Sequence, residues 1–421
     1  MKKLIGTVAV AALLASAAFA EISFGAGYLN SRYFIGSDES GNVVSTFGQQ
    51  WGLGGPRFSA FNISGDSEHA GFMGEIQHNG YDWAIGQSFT YIKPIEQIQL
   101  IFGFTDQNYL RSDNNLMQFD YTRPGAFGID EGITFDEFEV SGVGLVIKPI
   151  ESLMVFAAFD VPFNGSLGKL NEQIGRTGKL GVGYTIGDIG TIKAGVWAQG
   201  KGYNKDGEEK DGVKLGVAFD LTAVDGLFVT VGAKIPLGGA AYSKKLLSVA
   251  TVTDPEKFAQ EAIYAFERQS VQLNAGVGLS FIENLSIKLN FASKINAPNW
   301  DKGDADGNFG FAADLGVDYT FGENWTVFGA VGYASAVYNS GYECKYGAWD
   351  AKDKVFKDQK TILNTKDCLS FGVGIQKAWS NGTLGIEFVG ATNYNTVLDN
   401  TRDDNSTGFG WMIPIKMQVS F

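Results

Sequence analysis

Residues 270–296 read SVQLNAGVGLSFIENLSIKLNFASKIN. Apolar residues occupy every second position from Val271 to Phe281, and polar or small residues occupy most of the positions between them. After the short segment Ile282–Asn284, the alternation resumes at Leu285. A period of two places successive side chains on opposite faces of a β-strand. The stretch therefore predicts an antiparallel hairpin with one apolar face.

Similar hairpins recur along the chain. Short turns lie near Asp225–Gly226, Gly322–Asn324 and Ser380–Gly382, and the tetrapeptide Lys-Pro-Ile-Glu occurs at both 93–96 and 148–151. Each short turn is followed, one strand later, by a longer polar segment. We count about 18 such strands, within a range of about 16 to 18, which fits a barrel with both chain ends on one side.

The alternation also predicts where the apolar face lies. Strands of about ten residues match the tilted span of a bilayer, and nearly every strand carries an apolar face that must be buried. Lipid accepts such a face when the strand hydrogen bonds close on themselves. We therefore predict an all-β fold, a transmembrane antiparallel up-and-down β-barrel of the bacterial outer membrane. It has short periplasmic turns, long extracellular loops and outer-membrane lipid as its partner.

Aromatic residues flank the short turns. They are Phe281, Phe321, Trp325 and Trp379. Aromatic side chains prefer the boundary between bilayer and water, so these four predict a periplasmic girdle.

The N-terminus has the pattern of a signal peptide. Lys2 and Lys3 precede the apolar run Leu4–Leu14, and Ala18 and Ala20 supply the small residues that a signal peptidase reads. We predict that 1–20 is cleaved and that 21–421 forms a single transmembrane β-barrel domain. The precursor carries a net charge of -13, and this acidity argues against nucleic acid as a partner.

The C-terminal strand alternates up to the last residue. Trp411, Val419 and Phe421 share its apolar face, whereas Lys416 and Ser420 share the other. At this point the chain resembles the bacterial outer-membrane porin group, in which a terminal aromatic residue on an alternating last strand is the signal for barrel insertion. The resemblance implies the barrel-assembly machinery as a partner and allows a homo-oligomer. The Lys-Pro-Ile-Glu hairpins and the signal peptide also look like those of spirochaete outer-membrane proteins.

If the apolar face meets lipid, the charged residues of the other face line the interior. These candidate pore-lining residues are Lys179, Lys193, Lys214, Lys234, Lys288, Asp220, Asp314, Asp318, Glu387 and Lys416. A wet wall of mixed charge suits small polar solutes and ions. A barrel of this strand number leaves an aqueous channel, although the charged residues can also pair with one another.

Three functions fit this pattern. A porin, that is a passive diffusion channel for small hydrophilic solutes and ions without a cofactor, is the leading hypothesis. A transporter of hydrophobic solutes, similar to fatty-acid channels, is the first alternative, but Ile22, Phe24 and Ala26 begin a strand where such channels carry a hatch. A structural or adhesive surface barrel is the second.

Inward glycines are dense on several strands, and two explanations remain open. They form a groove for a loop or for bulky neighbours such as Phe228 and Phe328, or they ease the curvature of the strands. The glycines are Gly181, Gly183, Gly216, Gly276, Gly278, Gly316, Gly372 and Gly374.

The long segment 238–269 contains a helix signal. Thr253 supplies a cap, Pro255 stands in the first turn, and Phe258, Ala262 and Phe266 share one helical face. This helix either narrows the mouth of the barrel or packs on its outer rim.

Other residues bear on chemistry. Export into an oxidising compartment predicts a disulfide between Cys344 and Cys368. The acidic segment 301–308 fits either calcium or an ordinary turn. Only two histidines exist, His69 and His78, and no nucleophile accompanies them, so we expect no enzyme.

Overall fold

The computed structural model describes residues 21–26, 28–37, 41–48, 59–78, 83–105, 107–111, 137–161, 170–203, 209–237, 270–295, 309–335, 338, 344–350, 355–362, 367–392 and 408–420. Four predictions lie outside the described residues. They concern the signal peptide 1–20, the helix within 238–269, the acidic segment 301–308 and the terminal Phe421.

The described residues form 22 strands and one short helix, α1 (Leu170–Thr177). The first eleven strands are β1 (Glu21–Ala26), β2 (Tyr28–Ser37), β3 (Val43–Gly48), β4 (Ser59–Asp66), β5 (Ala70–His78), β6 (Trp83–Ile95), β7 (Ile98–Thr105), β8 (Val140–Ile150), β9 (Leu153–Asp160), β10 (Lys179–Ile186) and β11 (Gly190–Tyr203). The remaining strands are β12 (Glu209–Val224), β13 (Leu227–Leu237), β14 (Val271–Leu279), β15 (Leu285–Ile295), β16 (Phe309–Phe321), β17 (Trp325–Ala334), β18 (Cys344–Asp350), β19 (Val355–Ile362), β20 (Cys368–Trp379), β21 (Gly382–Thr392) and β22 (Phe409–Ser420).

Nearly all of these strands belong to one antiparallel sheet. From β4 to β17 each strand pairs with the next along the chain, β17 then pairs with β20, and the order continues through β21 to β22. Strand β22 pairs with β2, which joins the two ends of the chain. Strands β18 and β19 form a separate two-stranded sheet. The predicted all-β, antiparallel up-and-down barrel is confirmed.

The N-terminal strands explain the strand number. Strand β1 pairs with β4, whereas β2, which follows after residue 27, pairs with both β3 and β22. The large sheet contains 20 strands by segment. When β1 and β2, which residue 27 alone separates, are counted as one strand, 19 remain, one more than the predicted 16 to 18.

The outer face of the barrel is apolar. Leu180, Ile192 and Val217 are 53%, 47% and 42% exposed, whereas their polar neighbours Lys193 and Lys214 are buried. An outward apolar band on an antiparallel up-and-down barrel is the arrangement of outer-membrane proteins, so the predicted localisation follows from the fold. In the part of the chain that the structure describes, no helix has the length and hydropathy to cross a membrane.

Two aromatic belts mark the ends of this band. The four predicted girdle residues are exposed beside the short turns, with Phe281 at 61% and Trp379 at 52%. At the long-loop end, Phe311 stacks on Phe291 and Phe309, and Phe371 stacks on Phe409. The second belt was not part of the sequence prediction.

Two short turns depend on a left-handed residue. Asn284 and Asn324 have φ angles of 65° and 63°, a conformation that Asn tolerates better than most residues. Both end turns that the sequence predicted. Asn284 ends the turn between β14 and β15, within the hairpin that residues 270–296 predict.

Strand β8 pairs without interruption with β7 from Val140 to Ile147, although the alternation of its sequence weakens between Glu139 and Ile147. The pattern weakens because Val140 and Val146 are apolar residues on the inner face, where they join a buried cluster.

Candidate functional site

The interior of the barrel carries the predicted polar residues. The pairing registers place all ten residues on the inner face. For example, Lys193 shares its face of β11 with Gly195, and Lys214 on β12 lies directly opposite Trp197 on β11. Seven of them are less than 9% exposed, namely Lys193, Lys214, Asp220, Lys234, Asp314, Glu387 and Lys416. Because so little of their surface meets solvent, these residues pack against other interior groups.

On the wall formed by β7 to β13, the lysines make ion pairs. Lys193 Nζ lies 2.6 Å from Asp220 Oδ2, and both side chains are at most 8% exposed. Lys179 Nζ lies 3.7 Å from Asp160 Oδ1 and donates a hydrogen bond to the carbonyl oxygen of Glu139. Pairing of this kind offsets the cost of burying each charge.

On the opposite wall, formed by β15 to β17 and β20 to β22, inward polar side chains come from strands that pair with each other. Asn290 Nδ2 donates to Asp314 Oδ1 at 3.0 Å. Lys288 and Asp318 belong to the paired strands β15 and β16. Glu387 and Lys416, on the paired strands β21 and β22, are 1% and 2% exposed.

The two described ends of the segment between β7 and β8, residues 107–111 and 137–139, lie inside the barrel. Leu110 and Phe138, one from each end, are 1% and 0% exposed. The backbone N–H of Tyr109 donates to the carbonyl oxygen of Phe138 at 3.3 Å, so the two ends are joined. We call residues 107–111 the entry arm and residues 137–139 the exit arm of this loop.

Aromatic packing holds the arms to the wall. Phe138 meets Trp197 and Phe156 edge to face, with ring centroids 5.7 and 5.9 Å apart. Tyr109 stacks on Phe156 at 5.3 Å. Burial raises the pKa of Tyr109 to about 12. Such aromatic pairs add stabilisation beyond the area that they bury.

A charged contact reinforces the exit arm. Lys234 Nζ lies 2.8 Å from Glu137 Oε1 and 5.9 Å from the centre of the Trp197 ring. Lys234 is 7% exposed at its side chain and Glu137 is 26% exposed. One of the predicted pore-lining lysines therefore binds the loop.

Inward glycines make room for the arms. A Cβ atom on Gly181 would lie 2.3 Å from Leu110 Cδ1, and one on Gly195 would lie 2.2 Å from Phe138 Cζ. On the opposite wall, a Cβ atom on Gly374 would lie 2.5 Å from the Phe328 ring. The groove explanation is confirmed at Gly181 and Gly374, the first for a loop and the second for a bulky neighbour.

The sequence did not predict that the arms of this loop lie inside the barrel. Segment 107–111 has no regular period, and the sequence instead predicted a helix in segment 238–269 that either narrows the mouth or packs on the rim. Two signals pointed to the arms, namely the inward glycines and the apolar inner positions Val140 and Val146.

A polar cavity of about 730 Å³ lies between the entry arm and the wall. Its charged residues are Arg111 from the arm, Lys148 from β8, Glu151 from the following turn, Lys193 from β11 and Asp220 from β12. Side-chain amides and hydroxyls complete the polar lining, and they belong to Gln99, Gln107, Asn108, Tyr109, Ser152, Thr185, Thr191 and Thr222.

The predicted disulfide is not found. Cys368, the first residue of β20, is a free cysteine with a fully buried side chain. It packs with Ala334 and Ala391 in a buried hydrophobic cluster. Cys344 begins β18, which belongs to the separate sheet. The spacing of the two cysteines in the sequence did not reveal that they start different sheets.

Two further candidates, the acidic segment 301–308 and the side chain of His78, lie outside the described residues. Within the described residues, no group of three or more His, Cys, Asp or Glu side chains could hold a metal ion. His69 is 68% exposed beside Glu68 in a short turn, and the side chain of His78 lies outside the described residues. Of the predicted insertion signal, Trp411 and Val419 lie on β22 and are half-buried.

Comparison with known proteins gives structural likeness only. No protein-family model and no curated protein sequence matches the chain. An anion-selective porin from Comamonas acidovorans is similar, with 10% identity over 96% of this chain and 100% of that chain and a TM-score of 0.47. OmpT, an outer membrane protein of Vibrio cholerae, has 12% identity over 96% and 98%, with a TM-score of 0.43. At these identities the likeness concerns the fold alone.

Proposed function

We propose that the protein is a porin, a passive diffusion channel of the bacterial outer membrane for small hydrophilic solutes and ions, narrowed by the loop between β7 and β8. The observation that carries the proposal is the combination of a charged inner wall with a loop that is held inside the barrel at both of its arms. A wall of paired charges presents a polar path, and the loop sets how wide that path is.

The interior apolar residues do not favour a channel for hydrophobic solutes. Phe138, Phe156 and Ile101 are 0% exposed, so they form a packed core between loop and wall. An apolar pathway needs apolar side chains that a solute can reach. The polar cavity beside this core, by contrast, is lined by residues of both charges.

Conductance in a planar bilayer tests the proposal. The purified, folded protein is expected to open steps of fixed size, and its current is expected to rise with salt concentration. The variants Glu137→Gln and Lys234→Met weaken the hold on the exit arm, so we expect them to alter the step size. The matched control is Lys377→Gln, which removes one positive charge beside the outward Trp325. A folded protein that opens no channels would contradict the proposal and would favour a structural or adhesive barrel.

A further inference from the structure

Helix α1 is fixed to the long-loop end of the wall formed by β7 to β13. The Oγ1 atom of Thr177 accepts a hydrogen bond from the backbone N–H of Asp160, the last residue of β9, at 2.9 Å. Directly after the helix, the carbonyl oxygen of Gly178 accepts a hydrogen bond from the backbone N–H of Ala198, on β11, at 2.8 Å. These two bonds hold the C-terminal end of the helix between β9 and β11.

The apolar side of this helix is only partly covered. Leu170 and Ile174 are four residues apart, so they share one face of the helix, and they are 58% and 47% exposed. Glu172 and Arg176 lie on the opposite face. A helix with one apolar and one charged face suits the boundary between the lipid chains and the head groups of a bilayer.

An apolar groove lies between α1 and the outward face of the wall, with a cavity of about 600 Å³. Ile174 and Gly175 border it on the helix side. On the wall side, the pairing registers place Leu145, Ala157 and Leu180 next to one another on β8, β9 and β10, and all three line the groove. Ala157 has the smallest side chain of this row and lies between the two leucines, so it forms the floor.

The groove is continuous with the apolar band that meets the membrane lipid. Leu180, which lines it, is 53% exposed, and Leu100 and Val196 extend the same outward row onto β7 and β11. Lipid chains are as apolar as leucine, so packing decides which of them is retained at such a surface. A chain in the groove contacts the helix and the wall together, and the many small dispersion contacts add up.

We propose that this groove binds an acyl chain of a membrane phospholipid and retains that lipid on the outside of the barrel. The chain lies over Ala157, between Leu145 and Leu180, with Ile174 beside it. The cavity volume falls within the range of about 300–1,000 Å³ that is typical of small-molecule sites. Because the groove is lined mainly by apolar residues, the lipid is recognised through its chain and not through its head group.

Two lipids with the same head group test whether the chain is recognised. Palmitoyl-oleoyl phosphatidylethanolamine has long chains, and dihexanoyl phosphatidylethanolamine has short ones. Native mass spectrometry of the folded protein, released from detergent micelles after titration with each lipid, counts the bound lipids and gives their dissociation constants. The long-chain lipid is expected to fill one saturable site, and the short-chain lipid is expected to bind about tenfold more weakly, because it buries fewer methylene groups.

Variants locate the site. Ala157→Phe fills the floor of the groove and is expected to raise the dissociation constant of the long-chain lipid about tenfold. The matched control is Ala233→Phe, the same change at an outward position of β13 that pairs with Val217 and does not line the groove. It is expected to leave the constant unchanged. Ile174→Ser changes the helix and no strand, and it is expected to weaken binding several-fold. Circular dichroism confirms that each variant keeps its β-sheet.

The outcomes decide between a lipid and a second copy of the chain. Loss of the lipid from Ala157→Phe and not from Ala233→Phe supports the proposal. Equal lipid binding by the wild type and Ala157→Phe, or equal binding of the two lipids, would overturn it. A wild type that forms an oligomer, with Ala157→Phe monomeric and unchanged in lipid binding, would place a second copy in the groove and would also overturn it. Conductance is expected to be the same in Ala157→Phe and the wild type, so a failed lipid site leaves the channel proposal intact.

Discussion

The two walls of the barrel have similar outer surfaces but different inner surfaces. Both present alternating apolar residues outward. Inside, the wall of β7 to β13 carries large apolar groups such as Phe156 and Trp197, whereas the wall of β15 to β22 carries alanines such as Ala292 and Ala312 beside buried polar groups. The first wall binds two arms of a loop. The second wall packs the loop residue Tyr338 into its buried cluster, and the Tyr338 ring lies 4.8 Å from Lys294 Nζ. The size of the inner-face residues thus indicates which wall packs against the arms of a loop.

The largest expected effect comes from removing the ring that joins arm and wall. Phe138→Ala should cost about 3–5 kcal/mol of packing, because its ring is fully buried among Phe156, Trp197 and Gly195. We expect the loop to detach and the single-channel conductance to rise. The matched control is Phe328→Ala on the other wall, where the ring packs against Gly374. Equal changes in conductance for the two variants would contradict the difference between the walls.

The second-largest expected effect comes from breaking the buried ion pair of Lys193 and Asp220. Lys193→Met leaves the carboxylate of Asp220 buried without this ammonium partner and should lower the free energy of unfolding by about 3 kcal/mol or more. Urea denaturation measures the loss. The double variant Lys193→Met, Asp220→Leu should recover most of it, because both charges are then absent. A double variant as unstable as the single one would show that the pair has another role.

An added methyl group should affect stability differently at two glycines of β10. Gly181→Ala places Cβ 2.3 Å from Leu110 and should cost about 1–3 kcal/mol. Gly183→Ala places Cβ 3.4 Å from the same side chain, an ordinary contact, and should change stability little. Denaturation midpoints of the two variants compare them directly. Equal midpoints would mean that the entry arm does not need the groove.

The contact between Lys234 and Glu137 should contribute about 1 kcal/mol, since the glutamate is partly exposed and the interaction is screened. A double-mutant cycle with Lys234→Met and Glu137→Gln isolates this coupling. We expect it to weaken at high salt. A coupling that is independent of salt would point to packing on Trp197 instead of charge.

The smallest effect is a dependence on alkaline pH. The pKa of Tyr109 is raised to about 12, so folding favours its neutral form. Its contribution to stability is complete below the ordinary pKa of about 10 and is lost as pH rises through about 12. Lysines also lose protons in this range, so Tyr109→Phe serves as the control. The difference in unfolding between the two proteins should appear only above about pH 10.

Much of the fold could be predicted because alternation reports directly on strands and their faces. Lys193 and Asp220 were assigned to the interior on that basis, and the structure pairs them. The loop arms escaped prediction because their positions depend on distant contacts. Glu137, for example, meets a lysine 97 residues later in the chain. The disulfide was predicted from the oxidising compartment alone, which does not show whether two cysteines meet, and Cys368 is free.

The pairing of β22 with β2 has a consequence for the order of folding. The backbone N–H of Trp411 donates to Ser37 Oγ, and the two residues are 374 positions apart. Neighbouring hairpins such as β14 and β15 can form as soon as their own residues are available, but this contact requires nearly the whole chain. Contacts at long sequence separation slow folding, because the chain must first lose the entropy of a large loop. Strand β2 must therefore keep one edge unpaired until β22 is available to pair with it.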